Sequence, residues 1–143
     1  MENSFLSSDE TDLKSDFISA CRNEHHSQVP VWFMRQAGRS LPEYKKIRGE
    51  GSILEAASDP ERAAQITLQP VERYGVDAAI LFSDIMVPVH SIDFGVEIQP
   101  GIGPVVENPF KSIEDLKRLR ALEPEVDVPY VGETIKILSR ECP

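Results

Sequence analysis

Residues 76–84, VDAAILFSD, place six apolar side chains in a run of strand length, with Asp77 its only charge, before the run ends in Ser83 and Asp84. A strand with one wet face alternates apolar and polar residues, so a nearly continuous apolar run predicts a parallel strand covered on both faces. Upstream, Ala64, Leu68, Val71 and Gly75 keep helical spacing. Ser58 with Glu61 fits a capping box there, and Pro60 falls in the first turn, where a missing N–H does no harm. Pro70 is expected to kink this helix. Further upstream, Val29, Val31, Trp32, Phe33 and Met34 form a second apolar run opened by Pro30, read as the first strand with Trp32 and Phe33 in the core. It leads directly into Arg35, Gln36, Ala37, Gly38 and Arg39.

The remaining segments are shorter. Pro42 to Arg48 predicts a brief helix stopped by the turn Gly49 to Gly51, and Ile53 to Ala57 adds a short apolar piece. Val96 to Val106 alternates around Pro100, Gly101, Gly103 and Pro104 and predicts a β-hairpin or an irregular excursion. Ser112 and Asp115 suit the cap of a short helix through Leu116 and Leu119, and Tyr130 to Cys142 carries apolar residues at helical spacing. Strand, helix, strand and helix in this order indicate a parallel α/β architecture. Two strands cannot close a (β/α)8 barrel, which normally takes about 250 residues. The expected fold class is therefore α/β, the N-terminal part of a TIM-type barrel left incomplete in this chain. Residues 1–14 are expected to be a flexible acidic tail and 15–143 the barrel portion, with open strand edges that make the piece inactive by itself.

Composition sets limits on function. With 143 residues, 41% of them hydrophobic, the chain falls in the range of an ordinary globular domain. A net charge of -9 without a stripe of Lys and Arg argues against nucleic acid as a partner. Cys21 and Cys142 stand far apart, outside any metal-ligand spacing, and are read as reduced thiols. The polar start MENSFLSSDETDLKSD lacks the apolar core of a signal peptide, and no run approaches the roughly 18 apolar residues of a membrane span. The expected location is cytoplasmic, with no membrane partner.

Two places carry chemistry. The guanidiniums of Arg35 and Arg39 flank a small-residue turn and can grip carboxylates bidentately, while Ala37 and Gly38 let backbone N–H groups approach an anion. The bland alternative is that both arginines pair with surface carboxylates. Asp84 ends a buried-type strand, at the barrel face where active sites are built, but a carboxylate there serves equally well as a helix cap or salt-bridge partner. His25 and His26 are adjacent and diverge on a helix, so no metal site is expected from them. His90 is read as structural, and Gly101-x-Gly103, followed by Pro104 rather than a helix, fails as a dinucleotide loop.

The stretch PVWFMRQAGRSLPEYKKIR, Pro30 to Arg48, resembles the signature region of uroporphyrinogen decarboxylases nearly position for position. The likeness continues through SDPERAAQITLQPVERYGVDAAILFSDIMVP, Ser58 to Pro88, and through IQPGIGPVVENP, then weakens. Ser40 departs from it, standing where that family usually has Tyr. The resemblance implies removal of carboxyl groups from the acetate side chains of a tetrapyrrole, without metal or organic cofactor, by a homodimeric enzyme. It implies further that residues 35–39, with Gln36 among them, bind the substrate's carboxylates, that Arg48 is a further substrate-site arginine, and that Asp84 accepts hydrogen bonds from the pyrrole N–H groups. Two alternatives stay open: a zinc-dependent methyltransferase acting on corrinoid proteins and sharing the barrel, and an inactive fragment that holds a carboxylated tetrapyrrole.

Overall fold

The computed structural model describes residues 15–32, 40–99 and 101–142. The first helix, α1, spans Asp16–Cys21. Its Asp16 carboxylate accepts from Ser27 N, Ser27 Oγ and Gln28 N at 2.9, 2.7 and 3.1 Å, folding the polar run after the helix back over its first turn. Helix α2, Pro42–Arg48, starts on a proline and begins after Leu41, which is buried. Helix α3, Ile53–Ala57, is opened by a reciprocal capping box: Glu55 N donates to Ser52 Oγ at 3.0 Å and Ser52 N to Glu55 Oε2 at 2.9 Å. Two otherwise orphaned N–H groups are satisfied this way, which lets so short a helix persist.

Helix α4, Pro60–Tyr74, is the expected long helix with a different cap. Asp59, not Ser58, takes the N-cap position and accepts from Arg62 N at 3.1 Å. The reason is Pro60, which forces the residue before it into extended conformation, and Asp59 is extended whereas Ser58 already closes α3 with helical dihedrals. Pro70 lies inside the helix, which continues one turn beyond it. Gly75 then ends it with left-handed dihedrals, φ 60° and ψ 40°, where a side chain would be strained.

The two predicted strands are a correction. Neither residues 29–32 nor residues 76–82 form a strand, Phe33 and Met34 lie outside the described residues, and Ile80 is 50% exposed rather than covered on both sides. Extended backbone becomes a parallel strand only when neighbours complete a ladder on it. Among the described residues the two segments are joined by hydrogen bonds where Asp77 N donates to Val31 O at 3.0 Å and Val31 N to Asp77 Oδ2 at 2.6 Å. Trp32, expected in the core, is half-buried, and among the described residues its buried Nε1 finds no acceptor.

Among the described residues the sheet consists of the expected hairpin alone. β1, Val96–Gln99, pairs antiparallel with β2, Gly103–Val106, in the register Val96 opposite Val106 and Gln99 opposite Gly103. Helix α5, Val87–Ser91, precedes it. A 3-10 helix, Ile113–Arg118, follows, with the Ser112 and Asp115 capping box expected of it. Helices α6, Pro124–Asp127, and α7, Pro129–Glu141, complete the chain. Leu54 of α3, Val87 of α5 and Val128 between α6 and α7 meet in one apolar cluster, with Ile98 and Leu122 against it. α4 packs against α2, α3 and α7, and Ile66 at its centre is 0% exposed. No described helix is long and apolar enough to cross a membrane.

The paired bonds between Val31 and Asp77 lead to a first test. Asp77→Ala removes one of them and should lower unfolding stability by about 1 kcal/mol in urea titration, while Asp77→Asn, which keeps an acceptor, should lose less. An alanine variant as stable as the wild type would show that the contact holds nothing in place.

Candidate active site

Asp84 is reached from the core. Thr67 on α4, fully buried, donates its hydroxyl to Ala63 O at 2.7 Å and accepts from Phe82 N at 2.8 Å. Ser83 follows, then Asp84, which is half-buried. Its Oδ1 accepts from Met86 N at 2.8 Å and its carbonyl from Val87 N at 3.1 Å, forming the turn that starts α5. Asp84 thus holds a turn rather than capping α5, whose N-cap position is Met86 with no side-chain bond, because an Asp side chain readily accepts from the backbone two residues on. The turn engages one oxygen. Among the described residues no donor reaches the other, so Asp84 retains acceptor capacity toward a ligand.

Arg48, near the end of α2, donates from Nη2 to Gly51 O at 2.9 Å. It is engaged in its own turn, and no hydrogen bond joins it to Asp84. Arg35, Gln36, Ala37, Gly38 and Arg39 lie outside the described residues. Other cations are committed elsewhere: Arg73 pairs with Glu43 at 3.0 Å, and Arg118 stacks over Phe94 and Phe110 at 4.9 and 5.4 Å from the ring centroids.

A separate cleft of about 410 Å³ opens between α3, α5 and the start of α7, lined by Glu55, His90, Asp93, Glu97, Asp127 and Tyr130 among others. Its acidic wall suits a polycarboxylate poorly, since like charges repel, and neither Asp84 nor Arg48 borders it. His90 bears out the structural reading: its Nδ1 lies 2.8 Å from Val96 O, and a carbonyl only accepts, so that nitrogen carries the proton. Among the described residues no group of three or more His, Cys, Asp and Glu is placed to hold a metal ion, and both cysteines are free and exposed.

Thr67, the capping box of α3 and Gln69 are side-chain features that the sequence analysis does not include. Thr67 was hidden between apolar helix positions, and only the approach of Phe82, fifteen residues on, reveals its acceptor role. The Ser52-x-x-Glu55 capping box was legible as a local pattern. Gln69 on α4 is buried, and among the described residues neither of its amide atoms has a partner.

Comparison with known proteins places this geometry. The family model described as uroporphyrinogen decarboxylase (URO-D) matches residues 12–143. The chain belongs to the uroporphyrinogen decarboxylase family. It is 54% identical over 129 residues to "Uroporphyrinogen decarboxylase" of Geobacillus kaustophilus (strain HTA426), covering 90% of this chain and 37% of that relative. It is 56% identical over 127 residues to the protein of the same name from Thermobifida fusca (strain YX), covering 89% of this chain and 35% of that one. The chain therefore spans a little over a third of the length of these curated relatives. Asp84, Arg48 and residues 35–39 all fall within the stretch matched by the uroporphyrinogen decarboxylase model.

An electrostatic contact beside the acidic cleft sets a pH dependence. Arg120 holds Asp127 bidentately, Nη1 to Oδ2 and Nη2 to Oδ1 both at 2.7 Å, and also donates to Ser91 O at 3.2 Å. The guanidinium, helped by Glu123 N, lowers the Asp127 pKa to about 2. A folded value below the unfolded one stabilises the protein above the unfolded pKa of about 3.9, and that stabilisation is lost as pH falls toward the folded value. Asp127→Asn should lower Tm at neutral pH and flatten its fall between about pH 4 and pH 2, as read by circular dichroism melts. Identical acid limbs in the two proteins would remove Asp127 from the account.

Proposed function

We propose that this chain supplies the N-terminal, substrate-gripping part of a uroporphyrinogen decarboxylase. The reaction is removal of the four acetate carboxyl groups of uroporphyrinogen III to give coproporphyrinogen III, in porphyrin and haem biosynthesis. The observation that carries the proposal is Asp84, within the family match, with one carboxylate oxygen fixed by Met86 N–H and the other open to a ligand among the described residues. In the same reading the architecture is the N-terminal portion of a (β/α)8 barrel, the enzyme is a cytoplasmic homodimer, and the segments at 29–34 and 76–82 become strands once neighbours flank them.

The chemistry follows from electron demand. When the bond between the acetate methylene and its carboxylate breaks, carbon dioxide leaves and the bonding pair needs a sink. Protonation of the adjacent ring carbon supplies one, an iminium-like cation on the pyrrole. The pair flows into the ring to leave an exocyclic methylene, a proton adds there to form the methyl group, and the ring carbon returns its own proton. The substrate thus acts as its own electron sink, the task an organic cofactor performs elsewhere. Asp84 is the counter-charge. A carboxylate has about four lone-pair sites; one is taken by Met86 N–H, and the free oxygen faces the pyrrole N–H groups as their positive charge develops. Because the turn fixes the carboxylate beforehand, little reorganisation is needed in the transition state.

Arg35 and Arg39, with Gln36, Ala37 and Gly38 between them and Arg48 beyond, hold the peripheral carboxylates through bidentate pairs and backbone N–H groups. A guanidinium with a pKa above about 12 is a poor general acid, so these arginines bind and orient the substrate and the proton comes from another group.

The native protein should convert uroporphyrinogen to coproporphyrinogen with no added metal and with no loss on chelation; activity lost to a chelator and restored by zinc would overturn the proposal. Asp84→Asn should reduce kcat on the order of 10²-fold or more. Its Tm should stay near wild type, since Asn also accepts from Met86 N–H. Near-normal turnover by that variant would leave Asp84 as a turn residue only.

A further inference from the structure

Thr67 is an oddity within α4. It is 1% exposed in the middle of a helix where Ala63, Ala64, Ile66 and Leu68 are buried for apolar contact, and a β-branched hydroxyl residue offers a helix interior no propensity advantage. Its hydroxyl proton is committed to Ala63 O, the carbonyl one turn back, at 2.7 Å. That bond fixes the oxygen, so its lone pairs face away from the helix, where Phe82 N–H reaches one of them at 2.8 Å.

The contact matters because of what lies beside it. The segment 76–82 has no ladder among the described residues; its hydrogen bonds there run from Asp77 to Val31 near its start and from Phe82 to Thr67 at its end, where the Phe82 ring also stands edge-on to Tyr44 of α2 at 6.0 Å between centroids. Only Ser83 separates Phe82 from Asp84, and one extended residue spans about 3.5 Å, too little chain to absorb a displacement. Downstream, Met86 N–H fixes the carboxylate itself. α4 is immobilised around Thr67 by Ala63, Ala64 and Ile66, all fully buried.

We infer that Thr67 is a positioning residue for the decarboxylation: its buried hydroxyl transmits the placement of α4 through Phe82 N–H to the carboxylate of Asp84. The inference rests on the reading of Asp84 given above. Thr67 touches no substrate. It holds the strand-like segment in the register that presents Asp84, a task a hydroxyl can perform and a methyl group of the same size cannot. Loss of that acceptor also leaves a part-buried N–H unsatisfied, so the segment must shift to find another partner.

The test is a set of four variants of the native protein, Thr67→Val, Thr67→Ser, Asp84→Asn and the double variant Thr67→Val/Asp84→Asn, with kcat and KM measured per folded molecule beside Tm. Thr67→Val should lower kcat on the order of tenfold or more while KM changes far less, because misplacement of about an ångström at a reacting centre has this effect. Thr67→Ser, which restores the acceptor, should recover most of the loss. In the Asp84→Asn background Thr67→Val should cost kcat little more, since the group it positions is gone. Should Thr67→Val fail to fold, Thr67→Ala takes its place under the same criteria. A Thr67→Val enzyme with lowered Tm but wild-type kcat beside a crippled Asp84→Asn enzyme would sink the positioning role alone, as would full additivity in the double variant or no rescue by serine. Near-wild-type Asp84→Asn would overturn the reading of Asp84, and this inference with it.

Discussion

The hydrogen bond from Phe82 N to Thr67 Oγ1 joins the buried helix α4 to the end of the extended run that follows it. α4 is closed in by α2, α3 and α7 and cannot move without disturbing the apolar contacts that drive folding. The run 76–82 has no ladder of its own and borrows its order from that helix and from Val31. Asp84 inherits the result, since it sits where the borrowed order meets the tight turn into α5.

Charge is distributed with the same economy. The chain carries 24 acidic against 15 basic residues, yet a polycarboxylate needs only a few arginines at one place, because the remote surface is screened within about 8 to 10 Å at ordinary salt. The acidic cleft beside His90 and Asp127 lies elsewhere, and one of its carboxylates, Asp127, is tied to Arg120 in a structural contact. Arg48 bonds Gly51 O through one of its guanidinium N–H groups, which carry five donors in all.

Much of the candidate site was legible in the sequence. Asp84 stood out because a carboxylate directly after a strand-length apolar run is an unusual juxtaposition, and residues 35–39 because two arginines flank a small-residue turn. The structure added that Asp84 is itself held in a turn that engages one carboxylate oxygen, without capping α5. Thr67 was not legible. A threonine among apolar helix positions has no local signature that separates a packed methyl from a positioned hydroxyl.

What the sequence determined by itself is the set of features satisfied within about four residues. Prolines at the starts of α2, α4 and α7, Gly75 at the end of α4, the Ser112 and Asp115 capping box and the hairpin around residues 100–102 each follow from backbone geometry and near-neighbour hydrogen bonds. Tertiary structure alone decided the rest. Asp59 replaced Ser58 as the cap because α3 ends immediately before it, and residues 29–32 and 76–82 carry the composition of strands but form none, because among the described residues no flanking segment completes a ladder on them. A ladder, a buried acceptor such as Thr67 and an ion pair such as Arg120 with Asp127 all require two segments to arrive at one place, and that arrival is a property of the packed chain rather than of any window along it.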